Sequence, residues 1–440
     1  MEWLLKCHIN LVQFYDWSYR HDSLVAPQED YHDMMGKEIS GSTVKAKIAK
    51  AKALGMHPTA YGAVYAASKP FFEKHPTWAF YNSCQEPFVF IDVFYIMNIA
   101  EGSPWRKHLF EEYQSAISMM GFSGIHMDTY GFPKTAYSHL DAIPKKIKLE
   151  DELPTLIDET RENVHGEEEP YLIFNNVGAW PVQRTADRKQ DAVYIEVWPP
   201  YDRYASIAQL IRDARTYAKD DKSTILAAYL KPFREGKREK ALPAAKLLMG
   251  SIVSNGATHL LTGENQTALT QGYYSDYTKF SDSEAEAIRR YYDYMIRYEN
   301  LFFDPELQDV TMTHTGWDNY EYQCTSHKVS SYGEAGKIWM ILREKDYRKC
   351  IYLLNLCGQS EDYWNEGKEE PDTQKDIKFT VQVDTPVERI CFSTPDGENM
   401  DAIELSFTER ATKTGKFIDF TVPSLNYWTT IWIDTRKETI

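Results

Sequence analysis

Short apolar runs alternate with amphipathic, helix-like segments through the first 300 residues, and this alternation constrains the fold more than any other feature. Eight of the apolar runs have the length of a strand. Eight strands that alternate with helices are typical of a (β/α)8 barrel, also called a TIM barrel. An open, doubly wound sheet is the alternative, and it is disfavoured because no Gly-x-Gly-x-x-Gly turn follows the first strand. The predicted strands are 8–15, 58–65, 91–98, 124–127, 171–175, 192–197, 224–229 and 259–261.

The pattern changes near residue 301. Strand-like segments then recur at short spacing, turns such as Pro395-Asp396-Gly397 separate them, and no long helix intervenes. This spacing predicts an antiparallel β-sandwich. We therefore expect two domains, a barrel over residues 1–300 and a β-sandwich over residues 301–440. The predicted strands of the second domain are 321–324, 337–342, 350–354, 377–383, 388–392, 403–407, 417–422 and 427–433.

Composition narrows the classes of partner. The formal net charge of −16 disfavours nucleic acids and anionic membrane surfaces, because both need a basic binding surface. No run of about 18 apolar residues occurs, so we expect no membrane insertion. The N-terminal residues lack the features of a secretory signal peptide, and a chain that starts almost directly in a strand suggests a processed or truncated product. Aromatic residues make up 14% of the chain, which favours a large core or a sugar-binding site.

Metal and cofactor chemistry is not indicated by the sequence. The six cysteines are scattered without Cys-x-x-Cys spacing, and the histidines show neither His-x-x-x-His nor His-Glu-x-x-His spacing. No Gly-x-Ser-x-Gly motif indicates a serine nucleophile. We therefore expect no metal site and no cofactor, and we predict that most of the cysteines are buried thiols.

The carboxyl ends of the predicted strands carry the candidate chemistry, because this edge is the active face of a β/α barrel. Asp128 ends the fourth predicted strand and Glu196 ends the sixth, so the two can face each other across the barrel. Glycoside hydrolysis needs such a pair, with one carboxyl ionised and the other protonated. Tyr194 and Trp198 give Glu196 an aromatic surrounding that would raise its pKa and suit the acid role. The alternatives are that Asp128 caps a loop and that Glu196 caps a loop or pairs with Arg203.

Other polar and aromatic side chains at the same strand ends are candidates for sugar binding. His126 lies two residues before Asp128 and shares its strand face, where a core histidine is the alternative to a substrate ligand. The side chains that follow the first strand can instead form a buried polar cluster over the barrel. The candidate substrate-binding residues are Tyr15, Asp16, Trp17, His21, Tyr61, His126, Asn176, Trp198, Glu264 and Tyr273.

Three blocks of this sequence resemble glycoside hydrolase family 66, which comprises endo-dextranases and cycloisomaltooligosaccharide glucanotransferases. The blocks are residues 13–22 (QFYDWSYRHD), 121–131 (GFSGIHMDTYG) and 194–199 (YIEVWP). The resemblance implies a retaining mechanism on an α-1,6-linked glucan and a Greek-key β domain after the barrel. It assigns the nucleophile to Asp128 and the acid/base to Glu196. The two carboxyl groups of a retaining site stand about 5–5.5 Å apart.

The chain departs from the family pattern at two points. Family members typically carry an immunoglobulin-like domain before the barrel, whereas this chain begins at the first strand. The glucanotransferases also carry a carbohydrate-binding module inserted in the barrel, and no insertion of domain size interrupts the pattern here.

Three functional hypotheses follow from the carboxylates and the resemblance. We predict an endo-dextranase that releases isomaltooligosaccharides from dextran. A cycloisomaltooligosaccharide glucanotransferase acting on the same substrate is the alternative, and a non-catalytic glucan-binding barrel is the third hypothesis. A polymeric substrate suggests a secreted, periplasmic or cell-surface location, and the oligomeric state is not predicted.

Overall fold

A computed structural model describes residues 1–219, 222–272, 278–316 and 319–436. The chain divides into two compact units. The first unit comprises residues 1–196 and 217–222, and the second comprises residues 197–216 and 223–440. This division differs from the predicted domains, and the boundary near residue 301 stays a prediction.

The first unit is built on five parallel strands. They pair with one another in the order in which they follow along the chain, without reversal. A doubly wound sheet needs a reversal of strand order, so this order favours the barrel-type arrangement. The strands are β1 (Leu11–Phe14), β2 (His57–Ala63), β3 (Gly124–Asp128), β4 (Tyr171–Val177) and β5 (Ala192–Glu196).

Helices connect these strands and cover them with apolar side chains. Val44 and Ile48 on the second helix, and Leu109 and Tyr113 on the fourth, are buried in the core of the unit. The α-helices of the first unit are Glu2–Lys6, Gly41–Ala53, Lys69–Lys74, Pro104–Ser115, Leu149–Asn163 and Val182–Thr185.

The segment that leads to Asp128 follows from local sequence. Ser103 caps the helix Pro104–Ser115, since its hydroxyl accepts a hydrogen bond from the Trp105 amide at 3.3 Å. One turn of π-helix over Ala116–Met120 continues it and ends at Gly121, whose φ of +83° lies in the left-handed region that favours glycine. Strand β3 then begins three residues later and is buried up to its last residue, Asp128.

The third predicted strand, residues 91–98, is not part of this parallel sheet. Its central residues Phe94–Ile96 pair antiparallel with Ala66–Ala67 and with Val89–Phe90. Ile91 and Asp92 have positive φ and form the turn that folds the segment back on residues 89–90. An apolar run does not reveal whether its partner strand is parallel or antiparallel, and the prediction was wrong for this reason. Asp128 therefore ends the third parallel strand of the unit, and β5 with Glu196 is the fifth.

Two further antiparallel sheets occupy the connections between the parallel strands. A hairpin lies in the connection between β1 and β2, and a three-stranded sheet joins segments before and after β3. Their strands are Asp30–His32 with Glu38–Ser40, and Phe80–Tyr81 with Thr135–Ser138 and Lys145–Lys148.

The second unit contains two more strands of the β/α series. β6 (Ser223–Ala227) and β7 (Thr258–His259) pair in parallel. The described ranges therefore hold seven strands of this series, where the sequence predicts eight. None of the helices in these ranges is long and apolar enough to cross a membrane. The helices of this unit are Tyr204–Tyr217, whose last residue is assigned to the first unit, and Ala241–Ser254, Asp282–Arg297 and Glu299–Phe302.

After the last helix the second unit is dominated by antiparallel β-structure, as the sequence predicts. Two sheets share one apolar core, which includes Met340 and Ile351 from one sheet and Phe379 and Phe420 from the other. One sheet has strands Gln308–Asp309, Val329–Ser330, Ile338–Lys345, Arg348–Asn355, Val387–Ser393, Ile403–Glu404 and Trp428–Thr435. The other has Tyr322–Cys324, Gln374–Val383, Phe407–Thr412 and Gly415–Leu425. The Greek-key connection stays a prediction.

Candidate active site

Asp128 is the last residue of β3 and receives hydrogen bonds from both neighbouring strands. The Tyr61 hydroxyl, on β2, donates to Oδ2 at 2.7 Å. The Asn175 amide, on β4, donates through Nδ2 to Oδ1 at 2.7 Å. Parallel strands carry equivalent side chains to one edge of the sheet, so these three residues meet at the carboxyl ends of their strands.

Glu196 joins the same cluster through Asn175. The Nδ2 atom that contacts Asp128 also donates to Oε2 of Glu196, at 3.0 Å. Both hydrogens of this amide nitrogen are therefore used, one for each carboxyl group. The structure thus brings the two carboxylates that the sequence selects to the two hydrogens of one amide nitrogen.

Burial raises the pKa of Asp128 to about 6, and the hydrogen bonds from Tyr61 and Asn175 work in the opposite direction because they stabilise the ionised form. Asp128 is consequently mostly ionised at pH 7 and becomes protonated in mild acid. Burial, followed by the charge of Asp128, raises the pKa of Tyr61, so this hydroxyl keeps its proton and donates it to the carboxylate. The rise in the Glu196 pKa that we expect from the sequence stays a prediction.

Aromatic and imidazole rings lie next to Tyr61 and on the strands β3 and β5. The Tyr15 ring contacts the Tyr61 ring edge-on at 4.8 Å between centroids, and the His21 ring lies 5.8 Å from Tyr61. His126 packs edge-on against Tyr194 at 4.7 Å. Burial lowers the pKa of His21 to about 4 and that of His126 to about 3, so both rings are neutral at physiological pH. The two histidines therefore add no positive charge to this part of the first unit.

Tyr61 is supported from behind by its neighbours. Trp17 is 1% exposed, and its indole Nε1 donates to the Tyr61 carbonyl oxygen at 3.0 Å. Gly62 leaves room for Tyr113, since a Cβ at position 62 would lie 2.4 Å from a ring carbon of that residue. The Tyr113 hydroxyl donates to the Gly62 carbonyl oxygen at 3.0 Å. Trp17 therefore holds strand β2 in place and presents almost no surface to a sugar.

Two more of the predicted binding residues have structural partners. Asp16 forms an ion pair with Lys37. Asn176 is fully buried, donates to the Tyr194 carbonyl oxygen at 2.9 Å and accepts from the Thr185 hydroxyl at 2.6 Å. These bonds hold the Asn176 amide inside the fold, so its placement does not support sugar binding.

Asn175 is the site residue that the sequence reasoning missed. Strand β4 runs to Val177, two residues beyond its predicted end at residue 175, so Asn176 lies inside the strand and not at the rim. Successive side chains of a strand point to opposite faces, and Asn175 is the one that contacts the carboxyl groups. The signal that could have identified it is this alternation, applied to a longer strand.

The remaining predicted residues belong to the second unit or lie outside the described residues. Trp198 and Glu264 belong to the second unit, where both are half-buried and the Glu264 carbonyl accepts from the Thr267 hydroxyl at 2.8 Å. Their contact with substrate stays a prediction. Tyr273 lies outside the described residues. Within the part of the chain that the structure describes, no group of three or more His, Cys, Asp or Glu side chains could hold a metal ion.

Comparisons with known proteins identify the family to which the chain belongs. The sequence model of glycosyl hydrolase family 66 matches residues 1–432. Two curated proteins of Niallia circulans, both cycloisomaltooligosaccharide glucanotransferases, are 21% and 20% identical over 574 residues. Each alignment covers 97% of this chain and 58% of the relative, so the chain spans little more than half the length of these relatives.

Solved structures resemble the chain over almost its full length. A cycloisomaltooligosaccharide glucanotransferase of Paenibacillus sp., complexed with cycloisomaltoheptaose, has a TM-score of 0.87 at 18% identity, and the match covers 97% of this chain and 81% of that one. A maltogenic α-amylase of Thermotoga neapolitana has a TM-score of 0.59 at 10% identity, with 99% and 93% of the two chains covered. At these identities the likeness shows the fold alone.

Proposed function

Because the chain belongs to glycosyl hydrolase family 66 and is an enzyme that acts on glycosidic bonds, we propose that it cleaves α-1,6-glucosidic linkages by double displacement at Asp128 and Glu196. The single observation that carries this proposal is the Asn175 amide, which donates to both carboxyl groups. The bound cycloisomaltoheptaose in the Paenibacillus relative supports an α-1,6-glucan as the substrate class.

The separation of the two carboxyl groups supports a retaining mechanism. Oδ1 of Asp128 and Oε2 of Glu196 lie 2.7 and 3.0 Å from the same nitrogen, so these two oxygens are less than about 6 Å apart. Retaining glycosidases have a separation of about 5–5.5 Å, because the nucleophile must reach the anomeric carbon directly. Inverting enzymes need about 6.5–9.5 Å to admit a water molecule between carboxylate and sugar.

The proposed reaction has two steps. In the first step, Asp128 attacks the anomeric carbon while Glu196 gives its proton to the departing glucosyl oxygen, which leaves a glycosyl-enzyme ester. In the second step, Glu196 takes a proton from the acceptor hydroxyl, whose oxygen displaces Asp128 from the anomeric carbon. The hydrogen bonds from Tyr61 and Asn175 favour the ionised Asp128 that the first step requires.

The acceptor in the second step is a sugar hydroxyl in our leading proposal. Both curated relatives and the Paenibacillus structure are named as cycloisomaltooligosaccharide glucanotransferases, so we propose that this chain transfers the glucosyl chain and releases cyclic or longer α-1,6 oligosaccharides. The names of these relatives favour the glucanotransferase, which is the alternative hypothesis from the sequence, over the predicted endo-dextranase. Family membership gives no support to a non-catalytic barrel.

Hydrolysis is the second candidate, and one observation favours it. The alignments extend over 574 residues although this chain has 440, so the relatives carry inserted positions within the matched span. A shorter chain can offer fewer acceptor contacts to a sugar, and water then competes as acceptor. An endo-dextranase releasing isomaltooligosaccharides would result.

The finer fold assignment is also a proposal. We propose that the strands of the β/α series form a (β/α)8 barrel over about the first 300 residues, followed by a Greek-key sandwich. The TM-score of 0.87 over 97% of the chain and the chain-order pairing of β1 to β5 support the barrel.

Product analysis on dextran tests the proposed function. The protein is incubated with dextran, with starch and pullulan in parallel, and products are followed by reducing-end assay and mass spectrometry. We expect cleavage of dextran and products that include cyclic oligosaccharides, which weigh one water less than their linear forms. Shortened linear products alone, with one new reducing end for each bond cleaved, would replace transfer by hydrolysis. A folded protein that leaves dextran intact would overturn the substrate class.

A further inference from the structure

The amide nitrogen and the amide oxygen of Asn175 differ in their hydrogen bonding. Its nitrogen gives both hydrogens to Asp128 and Glu196. Its oxygen, Oδ1, is buried and has no hydrogen-bond partner among the residues that the structure describes, and the residue as a whole is only 3% exposed. The amide is therefore fixed next to both carboxyl groups, and its oxygen can still accept a hydrogen bond.

The orientation of this amide follows from its surroundings. An amide nitrogen can only donate and an amide oxygen can only accept. The reverse orientation would place Oδ1 against an oxygen of the ionised Asp128, with no hydrogen available for that contact. The unused atom is consequently the acceptor, and its partner must be a donor.

The neighbouring Asn176 shows that the fold satisfies amides where they serve structure. Its nitrogen and oxygen both have partners, in the Tyr194 carbonyl and the Thr185 hydroxyl. An unmatched buried acceptor costs about 1–3 kcal/mol, and such groups are rare in folded proteins. The Asn175 oxygen, one residue away, differs from other groups of this kind in that it lies on the amide group that contacts the two carboxyl groups of the candidate site.

We propose that Oδ1 of Asn175 accepts a hydrogen bond from the hydroxyl at C2 of the glucosyl unit that reacts with Asp128. This inference rests on the proposed function. Asp128 must contact the anomeric carbon, and the Asn175 amide lies within hydrogen-bond distance of Asp128. C2 is bonded to the anomeric carbon and bears the hydroxyl nearest to it, so this hydroxyl is the donor that Oδ1 meets.

This contact would make Asn175 both a spacer of the carboxyl groups and a ligand of the substrate. The sugar ring gains positive charge in the transition state, which makes the C2 hydroxyl a stronger donor than in the ground state. A hydrogen bond that strengthens in this way accelerates the chemical step instead of only tightening binding. The loss of Asn175 should therefore lower kcat more than it raises KM.

The test removes each partner of the hydrogen bond in turn. α-Isomaltosyl fluoride and its analogue that lacks the C2 hydroxyl on the reacting glucosyl unit are compared on the wild-type protein and on Asn175→Ala. Fluoride leaves without needing a proton, so the first step is observed directly. The ratio of kcat/KM between the two substrates cancels the different intrinsic reactivity of the deoxy sugar.

We expect this ratio to fall at least tenfold in Asn175→Ala relative to the wild type, about 1.4 kcal/mol of lost coupling. An unchanged ratio, with both substrates turned over by the wild type, would overturn the inference and leave the proposed function intact. A folded wild-type protein that turns over neither fluoride would contradict the proposed function itself.

Two further variants separate coupling from instability. Asn175→Ser is the substitute if Asn175→Ala fails to fold, and the same fall in the ratio is expected because its shorter side chain does not reach the hydroxyl. Thr185→Val removes the partner of Asn176 and destabilises the same strand from its other face. The wild-type ratio is expected for Thr185→Val, and a lowered ratio there would attribute the effect to strand instability.

Discussion

Two buried polar clusters of the first unit, one around Arg106 and one around Asp128, are built on different principles. The Arg106 side chain is 3% exposed, and its guanidinium donates to the Ile99 carbonyl, to the Glu159 carboxylate, to the Glu152 carbonyl and carboxylate, and to the Thr155 hydroxyl. All three of its nitrogens are engaged. The carboxylates neutralise the charge of this guanidinium, and the hydrogen bonds fix its position. The protein itself therefore uses the donors that could otherwise bind a ligand.

The cluster around Asp128 is held by neutral donors. A phenol and an amide contact this carboxylate, and burial raises its pKa to about 6. Within the described ranges, the Asn175 oxygen accepts no hydrogen bond. The comparison teaches that burial alone does not mark a functional site. What distinguishes the two clusters is whether charge and hydrogen-bonding capacity are used up by the protein itself.

The largest effect is expected for Asp128→Asn, which removes the nucleophile. We expect kcat on dextran to fall by about 10⁴-fold or more, because no other group can form the ester. Burial makes the charged form of Asp128 unfavourable at pH 7, and this penalty vanishes as the pH falls below the ordinary Asp pKa of about 4. Asp128→Asn lacks this charge, so its free energy of unfolding at pH 7 should be about 1 kcal/mol higher than that of the wild type. Initial rates on dextran measure the change in kcat, and denaturant titration measures the change in the free energy of unfolding. A fully active variant would overturn the assignment of Asp128 as the nucleophile.

The converse result is expected for Arg106→Met. Removal of the cation leaves two carboxylates and two carbonyl groups without their shared donor, so unfolding should become easier by about 3–5 kcal/mol. The variant that remains folded should keep its kcat within about threefold, since Arg106 belongs to the stabilising cluster. Thermal denaturation followed by circular dichroism is the measurement. Arg184→Met, which removes an exposed ion pair with Asp151, is the matched control and should cost less than about 1 kcal/mol.

The smallest effect concerns the pH dependence of the Asp128 cluster. We expect kcat/KM to fall as the pH decreases through about 6, because protonated Asp128 cannot attack. Tyr61→Phe removes a donor that favours the ionised form, so it should move this acid limb to higher pH and lower kcat/KM about tenfold at pH 7. Tyr81→Phe is the control, since its hydroxyl contacts the Pro76 carbonyl and should leave the limb in place. An acid limb that stays fixed in Tyr61→Phe would mean that another group governs it.

Most strands and helices of the β/α series could be predicted from the sequence, because apolar periodicity and helix-ending residues are properties of short stretches of chain. Gly121 ends the helix before β3, and the strand carries Asp128 at its end as the sequence predicts. Residues 91–98 show the limit of this reasoning. Their apolar character is correct for a buried strand, but the strand pairs with Ala66–Ala67 and Val89–Phe90 in a separate antiparallel sheet. Pairing depends on which backbone lies alongside, and periodicity does not contain that information.

The two carboxyl groups of the candidate site could be predicted from the sequence. Their hydrogen-bond partners were harder to predict. Asp128 and Glu196 stand out because carboxylates are unusual at the ends of buried strands. Asn175 and Asn176 look alike in sequence, and only the true end of β4 decides which of them contacts the carboxyl groups. Trp17 has the composition of a sugar-binding residue, yet it is buried beneath Tyr61. Tertiary packing, which the sequence does not display, determines these roles.

Gly62 gives the site a sensitivity that extends behind the sheet. The residue has no side chain, and the Tyr113 ring occupies the space that a Cβ would need. A single added methyl group at this position would displace either the tyrosine of the covering helix or strand β2, and with it the Tyr61 hydroxyl. Variant libraries confined to sugar-contacting positions would therefore miss a determinant of activity. A methyl group added at Gly62 would therefore act on Asp128 through the same Tyr61 hydroxyl that contacts it.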